Sequence, residues 1–175
     1  MSPLEVLDHG ELVCISFDDL LKYHGRSSIA GVAHGFKAMQ RALPLLAGGS
    51  PPERYGITIQ SAFDGAGARD AFEMVTRAVT GDRYRLAPEL APAGAPHAPE
   101  GWFFFRFEYR GCGVDLRLRD GLVSDEFVQM ARRGAGTPAE VERLTWLKQD
   151  MADRLLGLAA EEVYDARVIQ LDACT

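Results

Sequence analysis

Tyr23-His24-Gly25-Arg26-Ser27-Ser28-Ile29-Ala30-Gly31 is a His-Gly turn that runs directly into a helix. Ser27 or Ser28 can cap that helix, because a serine oxygen accepts a bond from a free N–H of the first turn. Beyond it Ile29, Val32, Phe36, Met39, Leu43 and Leu46 recur at steps of three and four, one apolar stripe. Pro44 predicts an end or a kink near that residue. His24 and Arg26 therefore sit just before a helix N-terminus. Unpaired N–H groups and a positive dipole end there suit an anion or a metal-bound oxyanion. The same residues also allow a plain serine-capped turn with His24 bonded to a backbone carbonyl. His34 falls opposite the stripe and is expected to be solvated or to lie at an interface.

A second turn has related chemistry. Ile57, Ile59 and Phe63 alternate with Thr58 and Gln60 at period two, which predicts a strand over Tyr55 to Phe63. It leads into Asp64-Gly65-Ala66-Gly67-Ala68-Arg69-Asp70. Gly65 and Gly67, between a strand and a helix, allow a ligand to approach the backbone closely. The helix should bury Ala68, Ala71, Phe72, Val75 and Val79 and end at Gly81 in the left-handed conformation. Asp64 reads as a cap and Asp70 as a first-turn charge, or Asp64 faces the first turn as ligand or base. The glycines do not form G-x-G-x-x-G and no Walker residues accompany them, which argues against a nucleotide site.

The remaining segments complete a sheet and cover it. Phe17 to Tyr23 predicts a short helix that delivers His24, while Cys14 reads as a small core residue. Tyr84-Arg85-Leu86 is a short strand. Ala87 to Gly101, with Pro88, Pro92, Pro96 and Pro99, predicts an exposed irregular loop containing a solvated His97. Trp102 to Tyr109 places Phe103, Phe105, Phe107 and Tyr109 on one face. After an Arg110-Gly111-Cys112-Gly113 turn, Val114, Leu116 and Leu118 return as its hairpin partner. Asp115, Arg117 and Arg119 share the other face with Arg106 and Glu108, a cross-strand charge lattice. Cys112 is expected at an exposed tip. Ser124 opens a helix through Arg133. Thr137-Pro138-Ala139-Glu140 is a capping box opening a second helix, with Val141, Leu144, Leu147, Met151, Leu155 and Leu158 on its stripe. Val163 to Leu171 is the final strand. The fold class is α+β: a two-layer helix-on-sheet domain with a mixed sheet, appended C-terminal helices and a last strand.

The 175 residues are 47% hydrophobic and 25% charged, globular values for one domain. A formal net charge of -6 gives nucleic-acid binding no electrostatic support. No apolar run is long enough for a membrane span. Three widely spaced cysteines (Cys14, Cys112, Cys174) contain no C-x-x-C, which excludes a zinc ribbon. Their odd number and the absence of a secretory signal at the start predict a cytoplasmic protein.

The order of elements and the turn residues resemble the FwdE/FmdE-like family of formylmethanofuran dehydrogenase proteins. The residues that carry the resemblance are Tyr23-His24-Gly25, Gly35-Phe36-Lys37, Asp64-Gly65, Asp70-Ala71, Thr80-Gly81, the hairpin before Val114 and Glu161-Glu162-Val163-Tyr164. Residues 1–175 thus read as a single domain of this type. The chain departs from the family's ligand pattern. Arg26 stands where a second histidine is usual, Ser27 or Ser28 stands near one usual cysteine, and Ala66 stands at another. Thiolate ligation of the family's kind is therefore not available. The resemblance implies a homodimer. Only His24 carries over from the family's pattern, as a metal ligand or acid–base group; the residues themselves suggest a site in which Arg26 holds an acidic substrate. Asp64 would be a ligand or base, with Tyr23, Ser28, Gly65, Gly67 and Asp70 around the cofactor. The function expected is a small-molecule enzyme dependent on a divalent metal (zinc or iron) or on haem. The alternative is a non-catalytic accessory protein that binds a cofactor or small molecule.

Overall fold

The structure, a computed structural model, describes residues 2–171; Cys174 lies outside them. The chain opens with a β-hairpin, β1 (Leu4–Asp8) and β2 (Glu11–Ile15). It turns at His9 and Gly10, both at positive φ. Ser16 then caps α1 (Phe17–His24) in a capping box with Asp19. Gly25, at φ 88, lets the chain leave α1 and enter α2 (Ile29–Leu46), which continues two residues past Pro44.

The main sheet is mixed, in the order β4-β3-β6-β7-β8. Its strands are β3 (Thr58–Phe63), β4 (Tyr84–Leu86), β6 (Gly101–Tyr109), β7 (Cys112–Leu118) and β8 (Tyr164–Gln170), with β5 (His97–Ala98) paired to β6. β3 and β4 are parallel and joined through α3 (Ala66–Thr76), while the other pairings are antiparallel. The protein is therefore α+β, with helices packed against the aromatic face of the sheet. Phe103, Phe105 and Phe107 alternate into the core, where Phe72 of α3 meets the last two edge-on. On the opposite face Asp115 receives Arg106 at 2.6 and 2.9 Å and Arg167 at 3.1 Å, the expected charge lattice.

Several local expectations are corrected. α3 ends at Thr76 with Arg77 in the left-handed region, and not at Gly81. The carbonyls at its end are occupied by guanidinium groups, that of buried Arg54 and that of half-buried Arg83. Arg54 donates to Met74 and Val75, and Arg83 donates to Thr76 and Arg77. These bonds satisfy a helix end before the glycine is reached. The proline-rich segment includes a 3-10 turn at Pro88–Leu90 and the short strand β5. Cys14 is exposed, because its strand presents the alternate residues inward. Cys112 is half-buried with Sγ 3.9 Å from the Leu45 carbonyl, so it is not an exposed tip.

The largest departure is α2. Its apolar stripe is buried as expected, but so are Ala30, Gly31, Ala33, His34, Gly35, Lys37 and Ala38 on its other sides. One flank packs on α3 so closely that a Cβ at Gly35 would lie 2.8 Å from Ala71 Cβ. Another is covered by α5 (Pro138–Gly157), which buries Leu147, Met151, Ala152 and Leu155. α5 opens with the predicted Thr137 capping box and follows α4 (Asp125–Arg133). The short helix α6 (Ala160–Val163) leads into β8. The C-terminal helices thus enclose the central helix.

Candidate functional site

The two glycine-bearing turns end at neighbouring helix starts. A Cβ on Gly67 would stand 2.6 Å from Ser28 O and 2.8 Å from Val32 N, so the first turns of α2 and α3 abut. Gly67 thereby serves helix packing. Neither N-terminus has a side-chain cap, and neither carries an acidic residue in its first turn. The first helical bonds are Val32 N–H to Ser28 O and Arg69 N–H to Gly65 O. The preceding N–H groups of both helices point out of the first turns unpaired by the helix. Two positive dipole ends side by side repel one another and favour an anion placed between them. The three helices α1, α4 and α5, by contrast, are capped by Ser16, Ser124 and Thr137.

A cavity of about 280 Å³ opens at this junction. Ser28, Ala30 and Gly31 contribute from α2, and Asp64, Gly65 and Ala66 from the start of α3. Phe63, Phe103, Phe127 and Met151 make its apolar wall. Lys148 of α5 brings a cation to it and donates to the Ser27 carbonyl at 3.1 Å. Its volume lies at the lower edge of the range for small-ligand sites, about 300–1,000 Å³.

His34 forms part of this wall and is 1% exposed. Its ring stacks on Phe103, with centroids 4.2 Å apart. Nδ1 lies 2.9 Å from the hydroxyl of Tyr164, which is itself fully buried. Burial pushes the imidazole pKa down to about 3, so the ring is neutral. Burial also pushes the Tyr164 phenol well above its ordinary value, so the hydroxyl keeps its proton. Among the described residues that proton has one acceptor, His34 Nδ1. The second nitrogen then carries the ring proton, and His34 is an N–H donor through Nε2. Nε2 is buried and has no partner. A buried donor left unpaired costs about 1–3 kcal/mol, a cost that a ligand oxygen would remove.

The sequence-expected residues divide between this cavity and its surroundings. Ser28, Asp64 and Gly65 line it. His24 does not. Its ring, 8% exposed, donates from Nδ1 to Asp70 Oδ2 at 2.7 Å and ties the end of α1 to α3. Asp70, not Asp64, is the carboxylate that orients His24. Its Nε2 is also buried without a partner. Tyr23 and Arg26 are exposed. The expectation of a solvated or interfacial His34 is corrected to a buried wall residue. A usable signal is the company it keeps, since Ala30, Gly31, Ala33, Gly35 and Ala38 are small residues of the kind found where helices pack closely. Lys148 and Glu100, both at the cavity, carry no comparable signal in the sequence.

Among the described residues no three His, Cys, Asp or Glu side chains stand close enough to hold a metal ion together. His24, with Asp70 alone, does not make the three or four protein ligands typical of zinc. His24 does not line the cavity and so is not placed to ligate a haem held there. No helix among the described residues is long and apolar enough to cross a membrane. Comparison with known protein families finds no matching family model, and comparison with curated proteins finds no matching sequence.

Proposed function

We propose that the protein binds a small organic anion, with its carboxylate at the junction of α2 and α3. The observation that carries this reading is the pair of abutting, uncapped helix N-termini beside a cavity lined by His34, whose Nε2 is buried without a partner. The free N–H groups and His34 donate to the carboxylate oxygens, and Lys148 supplies the long-range attraction. A neutral imidazole donor suits this task because it binds oxygen without the cost of burying a second charge. The FwdE/FmdE likeness, with two turns forming one site, supports the same location and extends the proposal to a homodimer, checked by sedimentation.

The test is calorimetric titration and thermal shift with acetate, 3-phenylpropanoate and inorganic phosphate. Saturable binding of a carboxylate, weakened by Lys148→Ala and by His34→Phe, is expected. A protein that binds none of the three would overturn the proposal.

The His24–Asp70 pair favours a second reading, in which the site also performs acid–base chemistry. A carboxylate fixes the ring through Nδ1 and leaves Nε2 for proton transfer. This requires the bound molecule to reach His24. A shift of the His24 ring resonances on adding the bound carboxylate would support it, and unchanged resonances would rule it out.

A further inference from the structure

We propose that Lys37 is a nucleophilic amine that condenses with an apolar aldehyde in a second cavity and holds it as an imine. This cavity, of about 620 Å³, lies where the C-terminal half of α2 meets β1 and the connection from α5 to α6. It shares no lining residue with the cavity at the α2–α3 junction.

Lys37 is 3% exposed although its side chain ends in an amine. Its Nζ donates to the Leu158 carbonyl at 2.7 Å. Leu158 belongs to the run from Leu156 to Glu161, every residue of which lines the cavity, so the amine end of Lys37 sits at that wall. Among the described residues no carboxylate stands within ion-pair distance of it, and Glu161 is engaged with Arg41 at 3.5 Å. Burial pushes the ammonium below its ordinary value, and the charge of Glu161 offsets that only in part. A lysine desolvated beside a cavity, with no counter-ion to hold its proton, has the character of an imine-forming residue.

The lone pair of the neutral amine forms a C–N bond to the aldehyde carbon, and one amine hydrogen passes to the aldehyde oxygen, giving a carbinolamine. A proton from solvent then lets that hydroxyl leave as water, and the nitrogen lone pair closes the C=N bond of a protonated imine. No electrons are gained or lost by the pair. The hydrogen that stays on nitrogen can keep its bond to the Leu158 carbonyl.

The wall decides the kind of aldehyde. Leu4, Met39, Leu43, Pro52 and Leu156 supply apolar surface, while the acids at the cavity are Glu5 and Glu161, both exposed. An anionic ligand would meet two carboxylates and one buried amine. An uncharged aldehyde escapes that repulsion and buries its chain on the apolar wall.

The chain has three lysines, Lys22, Lys37 and Lys148, so the test is site-resolved. The full chain is incubated with hexanal and sodium cyanoborohydride, which traps the imine as a secondary amine, and each lysine is followed by peptide mass mapping. At about pH 6, where an ordinary lysine is protonated, Lys37 is expected to be alkylated about tenfold faster than Lys22. Lys22 is the control because its side chain is 78% exposed. In the urea-unfolded chain the preference should vanish, since the fold creates it. With glyoxylate, an anionic aldehyde, the ratio of Lys37 to Lys22 should fall. Alkylation of Lys22 as fast as Lys37 in the folded chain, or a preference that survives in urea, overturns the proposal. An equal ratio with hexanal and glyoxylate overturns the apolar assignment and leaves the amine chemistry standing.

Discussion

Replacing His34 by phenylalanine should remove a specific part of the protein's sensitivity to acid. The histidine is neutral when folded, with its pKa pushed down to about 3, whereas its ordinary value is 6.5. Below the ordinary value the unfolded chain takes up a proton that the folded chain refuses. The native state is therefore at its full stability above 6.5 and loses stability as pH falls from 6.5 toward 3. Going from about pH 7.5 to about pH 5 costs about 2 kcal/mol, from roughly 1.4 kcal/mol per unit over the unit and a half below the ordinary value. The figure does not depend on how far below pH 5 the folded value lies. Carboxylates interfere little in this window. Asp19, lowered to about 2 by its bonds to Ser16, has an ordinary value of 3.8. Glu126 and Glu140 are lowered from 4.5 by Arg143 and by the Gly136 and Thr137 amides respectively. The assay is urea unfolding at the two pH values for wild type and His34→Phe. The variant is expected to be less stable at both, because Tyr164 loses its acceptor, at a cost of about 1–3 kcal/mol. Its further loss on acidification should be about 2 kcal/mol smaller than that of wild type. Equal pH dependence in the two proteins would refute a buried neutral His34.

Gly67→Ala should destabilise the fold by about 1–3 kcal/mol, since the new methyl group meets the α2 backbone at Ser28 O and Val32 N and one helix must move; chemical denaturation checks this. His24→Ala removes the 2.7 Å bond between α1 and α3 and should cost about 1–3 kcal/mol while leaving carboxylate binding within about twofold, because His24 is outside the cavity wall. Equilibrium unfolding and calorimetry on the same preparation separate the two effects. Arg54→Ala strips the end of α3 of two donors and leaves Asp8 without its partner. A loss of about 1–3 kcal/mol is expected in the same unfolding assay, from the two helix-end carbonyls left without a donor. Iodoacetamide should label exposed Cys14 before half-buried Cys112, read by peptide mass mapping.

The elements themselves are largely legible from local rules. The 137–140 capping box, the Ser124 cap, the period-two run from Trp102 to Tyr109 and the hairpin after it each specify an element through backbone and side-chain geometry within a few residues. Two features escape those rules. The β1–β2 hairpin turns on His9-Gly10, with a non-glycine residue at positive φ. The stop of α3 depends on two arginines outside the helix, Arg54 and Arg83.

Periodicity and capping act over a few residues, so a single chain reveals them. They suffice for the α+β class, the aromatic sheet face, and the two turns that lead into α2 and α3. Which side chains meet is a matter of how the elements pack. Hydrophobic pattern puts His34 opposite the stripe of α2, yet α3, α5 and the sheet surround that helix, so the opposite side is interior too. The partner of His34 is 130 residues away, and His24 meets Asp70 across 46. The first joins α2 to β8 and the second α1 to α3, and the close approach of α2 and α3 at Gly31, Gly35 and Gly67 is likewise a property of two surfaces that neither helix encodes alone.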